Sequence, residues 1–445
     1  MAKSARETAL TILERCRRKQ AFSDALLSSA VKDAGLSEKD SALTARLCYG
    51  VLQNMRLCDY YIDFFTSEKA QKPEPKVRDI LRLSVYQILF LDRIPAHAAV
   101  SEGVELCKKC GFTRASGFVN AVLRKIASNK DALPEIPKNS ITEYLSIKFS
   151  FPTPLVELLT ADLGAEFTEE FLKACNEPPP TTIQVNTLKT TSEAVSSAFE
   201  AGKISCKPHE FVPNCLEIIG TGDIAELPEY KNGSFYVQDA AAWLSVLAAA
   251  PKANDKVLDA CSAPGGKSFA AAIMMQNCGE ILSRDIHENK LKRVSESAEL
   301  LGISIIKTSV MDATAPNSDL LEACDLVLAD VPCSGLGVIR KKPDIRYKPV
   351  AEFEKLPETQ LSILSGLSKC VKPGGVLLYS TCTILKRENE GVTDRFLAEN
   401  PSFSLESFEL PAPIGIASGG RLTLYPNRQG TDGFFICKLR KHNEN

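Results

Sequence analysis

The chain has 445 residues, 44% of them apolar, with 53 basic and 55 acidic side chains and a formal charge of −2. That length implies roughly two to four domains, and the near-neutral balance excludes a protein-wide basic field, so any nucleic-acid surface must be local. No apolar stretch approaches the ~20 residues of a membrane span, no basic start leads into an apolar leader, and fifteen scattered cysteines read as reduced thiols of a cytoplasmic protein.

The first 130 residues lack period-two alternation. Residues 5–17 set Ala9, Leu10, Ile12, Leu13 and Cys16 at helical spacing, and 77–91 repeat the pattern through Ile80, Leu81, Leu83, Tyr86, Ile88 and Leu89. A further helix is expected over 116–126, so residues 1–130 read as an all-α bundle. The run Arg15-Cys-Arg-Arg-Lys19 is either a solvated helix face, the commoner use of such a run, or an RNA contact. Cys107-Lys-Lys-Cys110 has the spacing of metal thiolates, but no second pair or nearby histidine completes a tetrahedral site. Its helical surroundings make it a pair of helix positions, and no metal is expected. With four histidines in the chain, a serine–histidine hydrolase is disfavoured.

Residues 131–138, with Pro134 and Pro137, read as a linker. The region 139–232 follows, with helices near 153–175, a Pro178-Pro-Pro180 break, and short strands at 182–186 and 211–219 around a helix at 192–201. It reads as a small α/β module of RNA-recognition type, although no aromatic pair suited to base stacking stands out there. From residue 233 to 445, short apolar runs alternate with helices: strands at 256–260, 280–285, 304–308, 326–329 and 376–379, helices at 267–276 and 289–301, and a last strand at 434–439. That alternation predicts a doubly wound, Rossmann-like α/β domain with a parallel sheet.

After the first of these strands, Asp259-Ala-Cys-Ser-Ala-Pro-Gly-Gly-Lys267 turns into a helix. Gly265 and Gly266 lack Cβ atoms, which lets backbone N–H groups approach a cofactor. The loop fits neither the dinucleotide nor the triphosphate fingerprint. Asp285, about twenty residues on, ends the second strand, where a carboxylate accepts hydrogen bonds from ribose hydroxyls. Loop and acid together favour an adenosine-type cofactor over a plain turn and a helix cap.

Two cysteines sit where strands run out at the same sheet edge: Cys333 in Asp330-Val-Pro-Cys-Ser and Cys382 in Ser380-Thr-Cys. Free cysteine is a common core residue, but these two have polar neighbours and terminate strands at the edge where ligands gather. Two thiols with a carboxylate suit methylation at C5 of a pyrimidine. A thiolate adding at C6 turns the ring into an enamine whose C5 attacks an electrophilic methyl group. An acid near N3, the place of Asp330, stabilises the developing charge. The basic cluster Arg340, Lys341, Lys342, with Arg346 and Lys348, follows the Cys333 turn and is expected to position RNA phosphates.

On these residues the chain resembles the RNA (cytosine-5)-methyltransferases of the Sun family, in particular its bacterial 16S ribosomal RNA branch. The N-terminal region resembles the antitermination factor NusB, including Gly117-Phe-Val-Asn-Ala-Val-Leu-Arg-Lys-Ile126. The middle region is similar through Val185-Asn-Thr-Leu and Val237-Gln-Asp239, and the last through Ala-Pro-Gly-Gly-Lys, Pro-Cys-Ser-Gly, Pro343-Asp-Ile-Arg346 and Ser-Thr-Cys. The resemblance implies S-adenosylmethionine as cofactor, held by Cys261, Ser262, Ala263, Pro264, Gly265, Gly266 and Lys267, and by Asp285, Asp312 and Asp330. It implies Cys382 as the nucleophile, Cys333 as the residue assisting resolution of the adduct, and Lys267 beside the reacting centre. Ser262 and Val331 stand where alanine is usual, and Met311 where glycine is common, none of which removes a reactive group. The implied partner is 16S ribosomal RNA, naked or in an early small-subunit particle, bound by a monomer with no DNA or membrane partner. C5 methylation of another RNA such as tRNA, and a non-catalytic NusB-like RNA-binding or antitermination factor, stay open as alternatives. A DNA cytosine methyltransferase, whose Pro-Cys cysteine is the nucleophile, is disfavoured by the second strand-terminal thiol.

Overall fold

The computed structural model describes residues 3–19, 24–67, 72–220, 222–315 and 318–443. The chain divides into two compact units, one made of the residues up to Asn176 plus Lys342–Val350, the other of Glu177–Lys341 and Ala351–Asn445.

The first unit contains nine α-helices among its described residues: α1 (Ala5–Lys19), α2 (Asp24–Ala34), α3 (Glu38–Phe65), α4 (Pro75–Phe90), α5 (Ala96–Lys109), α6 (Ser116–Ser128), α7 (Ile141–Phe149), α8 (Thr153–Leu163) and α9 (Ala165–Ala174). The apolar positions that set the helical period in the sequence, Leu10, Ile12, Ile80, Leu81 and Leu123 among them, are fully buried together. Each such side chain contributes roughly 1.5–3 kcal/mol on leaving water. Ser37 caps α3 by accepting the Asp40 N–H, one of the orphan donors of a helix start. Gly50 lets α3 and α4 close up, since a Cβ there would lie 1.9 Å from the Tyr86 ring. Gly111, at φ +86°, turns the chain just after the end of α5. Cys107 is buried in α5 with its thiol on the Phe112 carbonyl at 3.3 Å. The division of the chain falls after Asn176 rather than at the 131–138 linker, because α7 packs on α3 and carries α8 and α9 with it.

The second unit begins with a four-stranded antiparallel sheet of β1 (Thr181–Val185), β2 (Ser205–Pro208), β3 (Cys215–Ile219) and β4 (Phe235–Val237) in the order β2-β3-β1-β4. Helix α10 (Ser192–Ala201) packs Val195 and Phe199 against Ile183, Val185, Leu216 and Phe235. The expected strand over 211–219 is confined to β3, because Asn214 takes a left-handed φ of +54° just before it.

The main sheet is built from β5 (Lys256–Asp259), β6 (Glu280–Asp285), β7 (Ile306–Val310), β8 (Cys324–Asp330), β9 (Val371–Thr381), β10 (Phe403–Leu405), β13 (Arg421–Leu424) and β14 (Phe434–Lys441). A separate hairpin comprises β11 (Phe408–Leu410) and β12 (Gly415–Ala417). The order is β10-β14-β9-β8-β5-β6-β7, with β13 also on β14. Strands β5 to β9 pair in parallel, as expected, but β14 runs antiparallel to β9, and β10 and β13 antiparallel to β14. The connection from β13 to β14 is too short for the crossover a parallel pair requires. Chain order reverses between β5 and β8, so the crevice outside their carboxyl ends is the topological switch point. Among the described residues, no helix is long and apolar enough to cross a membrane.

Candidate active site at the strand ends

Asp259, Asp285, Asp330 and Thr381 are the last residues of β5, β6, β8 and β9, so the fold brings the Gly-rich turn, Asp285, Asp330 and the two cysteine turns to one sheet edge. The turn after β5 is pinned to β6: Ser262 N donates to Arg284 O at 2.9 Å. Asp285 accepts from Ala263 N at 3.3 Å with one oxygen and from His287 N at 2.9 Å with the other. The glycine pair works differently from the sequence expectation. Gly265 has φ +106°, and a Cβ on it would meet Phe269 at 2.5 Å; one on Gly266 would meet Gln238 Nε2 at 2.9 Å. The space beside both glycines is therefore filled by the protein's own side chains.

What the loop leaves for a ligand is polar. Ser262 Oγ and Asp259 Oδ1 are buried without a hydrogen-bond partner, a costly state for a polar atom. Asp259 Oδ2 accepts from Ser268 Oγ at 2.7 Å, and burial pushes its carboxyl up to about 7. Asp312 is exposed and accepts from Thr314 through one oxygen. Cys261 is a third thiol at this edge, but burial and then the carboxylates of Asp330 and Asp259 push it far up, so it stays protonated.

At the other side of the crevice Lys267 Nζ donates to Asp330 Oδ2 at 2.6 Å, while Ser380 Oγ holds Oδ1 at 2.8 Å. Burial works against the Lys267 ammonium, but attraction to Asp330 outweighs it, and its pKa stands above the usual lysine value. Lys267 also lies 5.0 Å above the Phe434 ring, a cation–π contact. Cys333 and Cys382 bring their Sγ atoms to 3.3 Å, and either can donate to the other. The hydrogen bond from Cys333 holds Cys382 below the ordinary cysteine value, with Lys267 acting in the same direction. Cys333 is pushed well above it by the same bond and by burial. The arrangement therefore brings two thiols of unequal acidity, a carboxylate and an ammonium together.

The basic cluster requires a correction. Arg340 is buried, with Nη2 on Gly430 O at 2.6 Å and Nε 3.4 Å from Asp432. Lys341 sits between Asp239 at 2.5 Å and Asp432 at 2.8 Å. Arg346, in the first unit, is wholly buried, with Nη1 donating to Gln53 O at 3.1 Å and Asn176 Oδ1 at 3.0 Å and the guanidinium 4.1 Å from the Phe151 ring. These three cations are spent on protein partners and are not phosphate contacts; Lys342 and Lys348 are exposed. The sequence pattern carries the charge of such residues but not their acceptors, which lie 90 to 293 positions away.

Sequence reasoning also missed Glu388, Asn389 and Gln360, all fully buried behind the cysteine turns. Glu388 and Asn389 lie in the polar run Lys386-Arg-Glu-Asn-Glu390 shortly after β9, which reads as a solvated loop, and Gln360 has no trace in the sequence.

A parallel sheet with acidic strand ends, a Gly-rich first turn and an antiparallel last strand defines a Rossmann-like methyltransferase. Family models agree: residues 246–440 match the 16S rRNA methyltransferase RsmB/F model, 3–128 the NusB family and 151–225 the ferredoxin-like domain of RsmF/B-like methyltransferases. A Bacillus subtilis protein named probable ribosomal RNA small subunit methyltransferase B is 38% identical, over 98% of this chain and 99% of its own. A Synechocystis protein of the same name is 33% identical over the same shares. The crystal structure of PH0851 superposes with a TM-score of 0.79 at 27% identity, covering 99% of this chain and 100% of that one. The chain belongs to the ribosomal RNA small subunit methyltransferase B family, and it is a methyltransferase with a NusB-type helical domain, a ferredoxin-like small domain and a C-terminal catalytic domain.

Proposed function

We propose that the chain transfers a methyl group from S-adenosylmethionine to C5 of a specific cytosine in 16S ribosomal RNA, through a transient bond between Cys382 Sγ and C6. The observation that carries this reading is the contact pair Cys333–Cys382 beside the Lys267–Asp330 ion pair. In this reading the Cys382 thiolate adds to C6, and Asp330, oriented by Lys267 and Ser380, stabilises the charge that develops at N3. S-adenosylmethionine, when bound, supplies the electrophilic methyl group. After methyl transfer a base takes the C5 proton, and the C5–H electron pair reforms the C5–C6 double bond. The C6–S bond breaks to return the Cys382 thiolate, and Cys333, already in contact with that sulfur, assists this release.

The cofactor is assigned to the segment Cys261, Ser262, Ala263, Pro264, Gly265, Gly266 and Lys267 with Asp285, Asp312 and Asp330. The orphaned Ser262 hydroxyl and Asp259 oxygen are the polar atoms that support a ligand there. Asp285 has a free lone pair on each oxygen for a ribose diol. Asp285→Asn is expected to weaken S-adenosylmethionine about 10- to 100-fold, the value of one hydrogen bond to a charged acceptor. Calorimetric titration checks this, and an unchanged affinity would remove Asp285 from the site. For RNA, the exposed Lys342 and Lys348 are the residues of the expected cluster that stay assigned to phosphate. The substrate is taken to be 16S ribosomal RNA, naked or in an early particle, bound in the cytoplasm by a monomer.

The test is incubation of the purified protein with labelled S-adenosylmethionine and, separately, unmodified 16S ribosomal RNA, small-subunit particles and tRNA, followed by mapping of 5-methylcytosine. Methylation at one cytosine of 16S RNA is the expected result. Transfer to tRNA alone would move the substrate, and no transfer to any RNA would leave a non-catalytic RNA-binding factor.

A further inference from the structure

The two cysteine turns are gripped from behind by two consecutive residues. Glu388 and Asn389 follow β9 and are fully buried. Glu388 Oε2 accepts the Ser334 N–H at 2.9 Å and Gln360 Nε2 at 2.9 Å; the same Gln360 amide donates to Pro332 O at 3.0 Å. Both neighbours of Cys333 are thus tied, directly or through Gln360, to one carboxylate. Asn389 does the same for Cys382: its Oδ1 accepts from Thr381 Oγ1 at 2.6 Å, and its Nδ2 donates to Thr383 O at 3.1 Å. A bond of 2.7 Å between Ser334 Oγ and Thr383 Oγ1 joins the two turns, and the Tyr379 hydroxyl fixes Glu388 by its carbonyl at 2.6 Å.

We propose that Glu388 and Asn389 are positioning residues for the thiol pair, holding Cys333 and Cys382 in contact, and that the Glu388 carboxylate makes the two sulfurs chemically unequal. The inference rests on the two-cysteine reading above and deepens it. A hydrogen bond between two thiols is symmetric in itself, since either sulfur can donate, so their surroundings must break the symmetry. Of the charged groups acting on the pair, Asp330 disfavours a thiolate at both sulfurs, Asp432 disfavours it at Cys382, and Lys267 favours it there. Glu388, which holds both neighbours of Cys333, opposes negative charge on that sulfur, and the Tyr379 hydroxyl is held near it without bearing charge, its own pKa being raised by burial. One Glu388 oxygen is buried without a hydrogen-bond partner, so its charge is little screened. Glu388 and Lys267 thus bias the pair in the same sense, with Cys333 as thiol and Cys382 as thiolate.

The experiment is alkylation of the RNA-free protein with iodoacetamide over a range of pH, read at each cysteine by mass spectrometry. In the unaltered protein Cys382 is expected to label at least about tenfold faster than Cys333 near neutral pH, the equivalent of one pKa unit. Glu388→Gln keeps the shape and an acceptor for Ser334 N–H while removing the charge. It is expected to raise Cys333 labelling about tenfold and leave the melting temperature within a few degrees, and Glu388→Asp is expected to restore the original order. Equal labelling of the two cysteines in the unaltered protein would overturn the inference without any variant. So would a folded Glu388→Gln protein with unchanged Cys333 labelling. Because no RNA or cofactor is present, these outcomes are independent of whether Cys382→Ala keeps methyl transfer, the result that would instead sink the two-cysteine reading.

Discussion

Replacing Cys382 by alanine is expected to abolish methyl transfer and, with it, any denaturant-resistant adduct between protein and 16S RNA. The loss should be on the order of a thousandfold or more, because no other group in the crevice replaces a covalent catalyst. Cys261, the remaining thiol at this edge, is held protonated by burial and the carboxylates around it. Cys333→Ala is expected to behave differently: the thiolate of Cys382 still adds, but release slows and the adduct accumulates on a denaturing gel. The reverse pattern, with adduct lost in Cys333→Ala and retained in Cys382→Ala, would place the nucleophile on the Pro-Cys turn. Full activity in both variants would exclude the covalent route.

Arg346→Ala is expected to lower the stability of the first unit by about 3–5 kcal/mol, the range for truncating a large, fully buried side chain and stranding its partners. The guanidinium satisfies the Gln53 carbonyl and the Asn176 amide oxygen and packs on Phe151. Burial holds its pKa below the ordinary arginine value. Arg346→Met fills most of the volume without replacing the donors and is expected to recover part of the loss. Urea titration measures both. The slope of RNA affinity against salt concentration is expected not to change in Arg346→Met, whereas a lost phosphate contact would lower it by about one. A lower slope with unaltered stability would return Arg346 to the RNA surface.

The difference between Arg346 and Asp285 shows which parts of this protein are legible in its sequence. Asp285 ends a short strand about twenty residues beyond a Gly-rich turn, so its place in the chain puts it at the ligand-binding edge of the sheet, one strand from the switch point. The same holds for Asp330, Cys333 and Cys382, each at the end of a strand with a clear apolar run. Arg346 sits in a charged, irregular stretch, and whether such a side chain faces water or carbonyl groups depends on partners up to 293 positions away. Glu388 and Asn389 were hidden for the same reason. The short edge strand β2, reading Ser-Cys-Lys-Pro, is mostly exposed and has no alternation to detect. The antiparallel pairing of β13 with β14 follows from the short connection between them rather than from the residues of β14 itself.

The assignment of Lys342–Val350 to the first unit has a consequence for biosynthesis. Helices α1 to α9 leave the ribosome long before the segment that fills their interior with Arg346 and seats the Tyr347 hydroxyl on Leu52 O at 2.6 Å. At about 5–20 residues per second, translation of the intervening stretch takes roughly 8–35 s. For that interval the helices of the first unit lack the donors that Arg346 and Tyr347 supply to Gln53, Asn176 and Leu52.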